Sequence, residues 1–469
     1  MSNNTNTQAR KFGMIDKLAY AAGDFGCNMS FALKGTLTIF WTQFIGIDEL
    51  VMASLLLIVQ VWDAINDPVI GAMIDADRRQ YKRNKFLQYI HIGSIGLVVG
   101  GAFCFLPVAG LPAMLKNIMF IAGYVIWDAF YTIANVPYGS MLSLISADPG
   151  DRAELSTFRS VGSMAGNILT GILLPMLIYD ANNNLLGDRV FVIALVMGLV
   201  GFAFFQFMVR KTVIRVEQEI DLSEEPVKFN VVQATIRFFQ NRAAVGATLA
   251  PVFQFIGMYG AMTANQIMWQ SYFKNAQISG LMQMIGMIPM FFFMPFVRKI
   301  VGKFGKKEAM VFGMCISTLS YASLLFLPVT PDGKGIAMWV TAAIIAGFGG
   351  GIGMCVSWSL MADAMDYGEW KFGVREEGTT YAMHSFFRKL AQGIGPSLGL
   401  VLAVAVGYDA SLGAGQPMEV ATNLKTLVIV MNTLTQVGQL IAIALVYNLD
   451  KKTLATMQAE LEERRAAAK

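Results

Sequence analysis

LVMASLLLIVQVWDAINDPVIGAMI, residues 50–74, is long and apolar enough to cross a bilayer as one helix, yet it carries Asp63 and Asp67 one helical turn apart. Ionised carboxylates in hydrocarbon cost several kcal/mol unless a cation, a proton or a polar cavity compensates them. The stretch therefore reads as a transmembrane helix bearing a cation or proton site. The alternative is that both carboxylates pair with basic side chains on neighbouring helices.

The rest of the chain has the same character. With 55% hydrophobic and 14% charged residues, 33 Phe in 469 positions and a mean hydropathy of +0.52, it has too little polar surface for a soluble protein of this size. Apolar runs of about 20 residues mark twelve helical spans, near 18–46, 50–74, 87–108, 117–146, 155–178, 190–209, 243–272, 278–297, 308–328, 336–363, 380–407 and 424–448. The polar start Met1–Arg10 lacks the apolar core of a cleavable signal, so the first span is expected to remain.

Lys and Arg set the orientation. Arg78, Arg79, Lys82, Arg83 and Lys85 crowd the loop after the second span, whereas residues 180–188 hold none. Arg10, Lys11 and Lys17 before the first span and Lys451, Lys452, Arg464 and Arg465 after the last place both termini in the cytoplasm of a multi-pass cell (inner) membrane protein. The net charge of +4 is then a matter of topology and does not point to nucleic acid.

The longest polar stretch, residues 210–242, holds Glu217, Glu219, Asp221, Glu224, Glu225 and Pro226 and divides the spans evenly. The expected organisation is an N-terminal six-helix half (1–209), a central cytoplasmic loop (210–242), a C-terminal six-helix half (243–448) and a cytoplasmic tail (449–469) that reads as a short charged helix or a frayed end. This all-α layout of twelve transmembrane helices in two halves is that of the major facilitator fold, in which solute binds near the bilayer midplane.

Other chemistries find no support. Cys27, Cys104, Cys315 and Cys355 are scattered through apolar spans, and His91 and His384 have no ligand-spaced neighbours. No Gly-Lys-Ser or Gly-Lys-Thr phosphate loop is present, and the 45 Gly, Gly349–Gly351 and Gly353 among them, read as close helix packing. No nucleophile and base arrangement suggests an enzyme, no cofactor is expected, and a monomer suffices for the layout.

Several strings carry a resemblance. Gly23-Asp24-Phe25-Gly26, Trp62-Asp63-Ala64-Ile65-Asn66-Asp67-Pro68, Tyr131-Thr132-Ile133-Ala134-Asn135-Val136-Pro137-Tyr138-Gly139, Asp363-Ala364-Met365-Asp366-Tyr367-Gly368-Glu369-Trp370 and Val374-Arg375-Glu376-Glu377-Gly378 occur in this order between Lys17 and about Gly395. In order and spacing they resemble the glycoside-pentoside-hexuronide:cation symporters, the melibiose permease family. The resemblance implies uptake of a sugar or sugar-like solute driven by Na⁺, H⁺ or Li⁺. On it, Asp63 and Asp67 match the family's cation-site carboxylates and Thr132 a threonine near them. A third acidic position of the family is Asn135 here, leaving the cation's identity open. Asp128, two turns earlier on nearly the same face, either replaces that charge, pairs with Lys34 or caps a cavity.

The solute side departs further. A Lys-Asp pair of the family is Cys27-Asn28 here and a sugar-stacking Trp is Gly139, so galactoside specificity does not carry over. Tyr131, Arg159 and Lys389 match family positions, and His384 joins the candidate solute residues; the alternative for the basic ones is ion pairing between helices. Lys34 lies mid-span on the face of Cys27 and either pairs with Asp63, Asp67 or Asp128 or awaits an anionic solute. With Arg159, Arg388 and Lys389 it favours an acidic sugar, such as a hexuronide, a glucuronide or a sulfonated sugar. Asp363, Asp366, Glu369 and Arg375, with Glu376 and Glu377, read as a cytoplasmic gate of interdomain ion pairs, or as a solvated loop with incidental pairs. An uncoupled carrier of a lipid-like solute and a membrane sensor on the same fold are the competing functions.

Overall fold

A computed structural model describes residues 10–77, 79, 81, 84–146, 148–215, 231–293, 296–373 and 377–467. Among these the chain is helical, with one isolated antiparallel bridge between Tyr179 and Leu185. Eight helices are long and apolar enough to cross a membrane, Glu49–Gly71, Lys85–Cys104, Ala113–Ser140, Glu154–Ile178, Gly187–Lys211, Arg242–Ser271, Gly333–Gly353 and Met418–Val446 among the described residues. Large apolar side chains such as Val61, Met73, Val99, Phe292, Leu319 and Leu445 point outward along the helices. Such exposure suits hydrocarbon, not water.

The helices are α1 (Met14–Phe31), α2 (Lys34–Ile39, continued by a π turn Phe40–Phe44), α3 (Glu49–Ala76), α4 (Lys85–Cys104), α5 (Ala113–Ser140), α6 (Leu142–Ile145), α7 (Pro149–Ile178) and α8 (Gly187–Lys211). After them come α9 (Val231–Gln240), α10 (Arg242–Ser271), α11 (Ser279–Phe293), α12 (Val297–Phe304), α13 (Lys306–Ser323), α14 (Gly333–Phe372), α15 (Glu377–Ala405), α16 (Met418–Ile441) and α17 (Lys451–Ala467).

The chain forms two compact units. Unit 1 comprises Met1–Ile47, Val61–Asp180 and Leu185–Glu225, and unit 2 comprises Asp48–Gln60, Ala181–Asn184 and Pro226–Lys469. In unit 1, α1 packs on α7 and α8 while α4 packs on α5 and α8. In unit 2, α10 packs on α15 and α16 while α13 packs on α14 and α16. The same connectivity recurs, α1 corresponding to α10, α4 to α13, α5 to α14, α7 to α15 and α8 to α16. Small residues make these contacts possible, because helices in lipid associate through close backbone approach. Gly93, Gly96 and Gly100 form one ridge of α4 against Ala134, Phe130 and Trp127 of α5, and a methyl at Gly100 would stand 2.9 Å from the Trp127 Cα. Gly313 meets Gly349 on α14 in the same way, and Gly260 meets Gly395 and Gly399 on α15.

Two segments differ from their sequence reading, and the tail takes the helical one of its two readings. The first span, expected to run unbroken over 18–46, is interrupted between Phe31 and Lys34, where Leu33 N–H donates to Ser30 O and Thr36 N–H to Leu33 O, each at 3.1 Å. These i to i+3 bonds tighten the helix just where the half-buried Lys34 meets its partners. Asp363, Asp366 and Glu369, read as a gate loop, lie on the last turns of α14, which continues to Phe372 and ends on Gly373 in the left-handed region at φ 71°. The tail is a docked helix: Met457 and Leu461 enter the apolar core of α10, α13 and α14, and Trp370 Nε1 donates to Glu460 Oε2 at 2.7 Å.

Candidate functional site

Helical periodicity places Asp63, Asn66 and Asp67 on one face of α3 and Asp128, Thr132 and Asn135 on one face of α5. In unit 1 these faces meet, and Lys34, the first residue of α2, inserts beside them. Its Nζ lies 3.8 Å from Asp63 Oδ2 and 3.8 Å from Asp128 Oδ1. The rings of Phe31, Tyr124 and Trp127 surround the same ammonium at 5.4, 5.3 and 5.7 Å, within cation–π range. Lys34 is thus placed with carboxylates, and with Asp63 and Asp128 rather than Asp67.

A residue that sequence reasoning passed over joins the two helices. Asn66 Nδ2 donates to Asp128 Oδ2 at 3.1 Å, to the Asp128 backbone carbonyl at 3.3 Å and to Thr132 Oγ1 at 2.9 Å. Thr132 in turn donates to Asp67 Oδ1 at 2.8 Å. One chain of polar contacts therefore runs Asp63, Lys34, Asp128, Asn66, Thr132, Asp67. The Asp128 side chain, only 1% exposed, is its most deeply buried carboxylate, while Asp63 is 21% exposed. The signal that could have found Asn66 was its position, three residues after Asp63 and adjacent to Asp67, on the face that those carboxylates define.

A second polar cluster lies on α1, α5 and α7 of the same unit. Arg159 Nε is 3.6 Å from Asp24 Oδ1, and its guanidinium stands 4.8 Å over the Tyr138 ring. Asn28 Nδ2 donates to Asp24 O at 2.8 Å and to Ser163 Oγ at 3.1 Å. Tyr138 OH donates to Tyr20 O at 2.8 Å, and Tyr20 OH returns a bond to Tyr138 O at 3.3 Å. A Cβ at Gly139 would have Arg159 Nη1 as its neighbour at 4.0 Å, so the missing side chain leaves room for the guanidinium. Between the clusters, Cys27 Sγ approaches Asn135 Oδ1 at 3.9 Å, and Tyr131 faces Phe31 with ring centroids 6.0 Å apart. Tyr20, Asp24, Tyr138 and Ser163 are the participants here that were not singled out from sequence.

Unit 2 holds the remaining candidates. His384 Nδ1 is 3.1 Å from Thr248 Oγ1, Lys389 is half-buried one residue beyond Arg388, and Arg388 stands 5.6 Å over the Phe255 ring. Asp363 is held within its own unit, because Lys306 Nζ donates to both carboxylate oxygens at 2.8 and 2.7 Å. Asp366 and Glu369 are half-buried on the same helix, and Arg375 lies outside the described residues.

Two ion-pair sites outside the spans anchor unit 1. Asp16 accepts from Arg10 Nη2 at 2.7 Å and from Arg215 Nη2 at 3.1 Å. After α3, the Tyr81 and Tyr89 hydroxyls and the Arg79 N–H all donate to Asp77, whose carboxyl is thereby lowered from 3.8 to about 2.

Na⁺ is a hard cation that takes oxygen ligands, so Asp63, Asp67, Asp128 and Thr132 offer the right element. Their disposition does not suit it. The carboxylates face donors, namely the Lys34 ammonium, the Asn66 amide and the Thr132 hydroxyl. Among the described residues no group of three or more His, Cys, Asp or Glu could hold a metal ion.

Comparison with known proteins gives this geometry its context. The family profile for MFS/sugar transport proteins matches residues 19–451. The uncharacterized symporter YjmB of Bacillus subtilis (strain 168) is 28% identical over 461 residues, covering 97% of this chain and 96% of its own. A glucuronide carrier protein homolog of Escherichia coli (strain K12) is 25% identical over 401 residues, covering 84% of each. The crystal structure of a D-xylose-proton symporter, 15% identical, superposes with a TM-score of 0.60 over 91% of this chain and 96% of that one, a likeness of fold.

Proposed function

Because the chain belongs to the MFS sugar transport family and is no enzyme, we propose that it is a secondary symporter that imports a sugar or sugar derivative with a cation, Na⁺ or H⁺, by alternating access. The observation that carries this reading is the charged chain from Asp63 through Lys34, Asp128, Asn66 and Thr132 to Asp67, built into apolar helices. Buried ionisable groups in a membrane are expensive, and a network whose sole role was structural could be replaced by apolar packing at little cost. A sensor or an uncoupled carrier has no use for it. We assign Asp63, Asp67, Thr132, Asn135 and Asp128 to the cation, and Cys27, Asn28, Tyr131, Asn135, Arg159, His384 and Lys389 to the solute.

The solute we favour is an acidic sugar. Arg159 supports this: its side chain, 36% exposed, engages Asp24 through Nε and presents its outer edge where Gly139 leaves space. A glucuronide carrier homolog among the relatives points the same way. Both termini are assigned to the cytoplasmic side of the cell membrane, with Asp363, Asp366, Glu369 and Arg375 as gate residues of a functional monomer.

The test is solute accumulation in proteoliposomes, using a panel of labelled neutral and acidic sugars with an imposed Na⁺ or pH gradient. Accumulation above the equilibrium level under either gradient is expected. Equilibration without accumulation, for every solute that enters, would replace the symporter with an uncoupled carrier.

A further inference from the structure

We propose that the Lys34 ammonium is a built-in cation that holds the place of Na⁺ in the carboxylate network, so that the protein does not use Na⁺ as its coupling ion. The proposal rests on the symporter reading and narrows it. Its basis is the mismatch between Na⁺ and the side chains of unit 1.

Three features of the geometry converge. The ammonium bridges α3 and α5 at 3.8 Å from one carboxylate on each, the position from which a bound cation would join the two helices. Phe31, Tyr124 and Trp127 present ring faces to it at 5.3 to 5.7 Å, which suits a large, weakly directional ammonium; Na⁺ needs a shell of oxygen atoms. Asp128 Oδ2, the oxygen that Lys34 leaves over on that carboxylate, accepts from Asn66 Nδ2, and Asp67 Oδ1 accepts from the Thr132 hydroxyl. A second monovalent cation would have to displace these donors and stand beside a fixed positive charge.

The charges lead to the same result. Asp63, Asp128 and Lys34 together carry one net negative charge when all are ionised, and removing Lys34 leaves two facing carboxylates with no counter-charge. The groups around the ammonium are Asp63 from α3, Asp128 and the Tyr124 phenol from α5, and the Cys104 thiol from α4. Asp63 and Asp128 are its anions, and the neutral Tyr124 and Cys104 do not replace it. Truncating Lys34 therefore opens a space faced by carboxylate oxygen from two helices, which Na⁺ can enter with water completing its oxygen shell.

Na⁺ binding can be measured without knowing the solute. The purified full-length protein is titrated with NaCl against choline chloride at constant ionic strength and pH, following its unfolding temperature and its tryptophan emission. The unmodified protein should give identical curves in the two salts. Lys34→Ala should gain a saturable Na⁺-specific stabilisation; at about ten times its Kd, Na⁺ multiplies the folded-to-unfolded ratio about elevenfold. Adding Asp63→Asn to Lys34→Ala should remove that gain. A Na⁺-specific shift in the unmodified protein, or none in folded Lys34→Ala, overturns the proposal. Should Lys34→Ala not fold, the unmodified titration and the gradient assay decide. Sugar accumulation under a Na⁺ gradient at fixed pH overturns the place-holder and leaves symport standing, and accumulation under a pH gradient alone supports it. No accumulation under either gradient defeats the symporter reading itself, and the salt titration still decides whether Lys34 excludes Na⁺.

Discussion

Replacing Asn66 tests whether the α3 and α5 carboxylates act as one unit, because this amide touches both helices of the network. In Asn66→Ala three donor contacts vanish: one to the Asp128 carboxylate at 3.1 Å, one to its backbone carbonyl at 3.3 Å and one to Thr132 Oγ1 at 2.9 Å. A hydrogen bond to a charged group contributes about 1.5–3 kcal/mol and a neutral one about 0.5–1.5. Counting one of each and discounting the long backbone contact, the variant loses about 2–4.5 kcal/mol. Asn66→Asp keeps the volume and reverses the polarity, placing an oxygen near 3.1 Å from Asp128 Oδ2. At an effective dielectric of about 20 that repulsion is about 5 kcal/mol, so Asp is expected to be worse than Ala. The assay is the steady-state accumulation ratio in proteoliposomes under the driving gradient, beside the unfolding temperature of the same preparations. Loss of accumulation in both variants, with Asn66→Asp the less stable, is the expected result. An Asn66→Ala protein with normal accumulation and stability, or equal behaviour of Ala and Asp, would refute the bridging role.

Asp67→Asn should abolish gradient-driven accumulation while the protein still inserts and folds, since Thr132 keeps a hydrogen-bond acceptor and only the charge is lost; accumulation assays with a thermal-stability control decide. Arg159→Ala should weaken an acidic solute roughly ten- to a hundredfold, the loss of one charge-assisted bond of about 1.5–3 kcal/mol, and change a neutral analogue little in competition binding. Asp16→Ala strips a fully buried carboxylate from Arg10 and Arg215 and should cost about 3–5 kcal/mol of stability, read by thermal unfolding. The Asp77 carboxyl is lowered from 3.8 to about 2 by its hydrogen bonds, so its stabilising contribution is present above about pH 4 and disappears as pH falls toward 2. Acid unfolding of Asp77→Asn should lack that component in the same window.

What the sequence disclosed and what it concealed divide along a physical line. Asp63 and Asp67 were legible because an ionised group in hydrocarbon is anomalous without any knowledge of its neighbours. The partner of Lys34 was not, because spacing assigns a residue to a helix face and leaves open which helix meets that face. Asn66 escaped notice because a neutral amide raises no electrostatic alarm, although it makes the contacts that join the network. Asp16 with Arg215 was invisible for another reason: the two residues are 199 positions apart and meet only when α8 returns beside α1. The gate segment's alternative reading as a solvated loop came from its charges, whereas Tyr367 and Trp370 pack into the unit 2 core and carry α14 onward as a helix.

The placement of Lys34 also shifts the burden of solute recognition. On the proposed reading, an ammonium shared by Asp63 and Asp128 has little to give an anionic sugar, and Arg159, paired with Asp24 alone, is the leading unit 1 group for a solute charge. The two polar clusters are not independent, however. Asp128, Thr132, Asn135 and Tyr138 follow one another at intervals of three or four residues along a single face of α5. That face touches the ion-side network at Asp128 and Thr132, and the Arg159 cluster through Tyr138, with Cys27 against Asn135 between them. A solute that draws Arg159 away from Asp24 would disturb α1 and α5 together, the helix that leads into α2 and Lys34 and the helix that carries Asp128. Coupling carried this way must be reciprocal: the driving ion raises solute affinity by the same factor as solute raises ion affinity. Asn135→Ala removes the acceptor for Cys27 and leaves both clusters intact. It should therefore lower that factor toward one beyond the loss of each affinity measured alone, and an unchanged factor in calorimetry would show that the coupling does not run along this face.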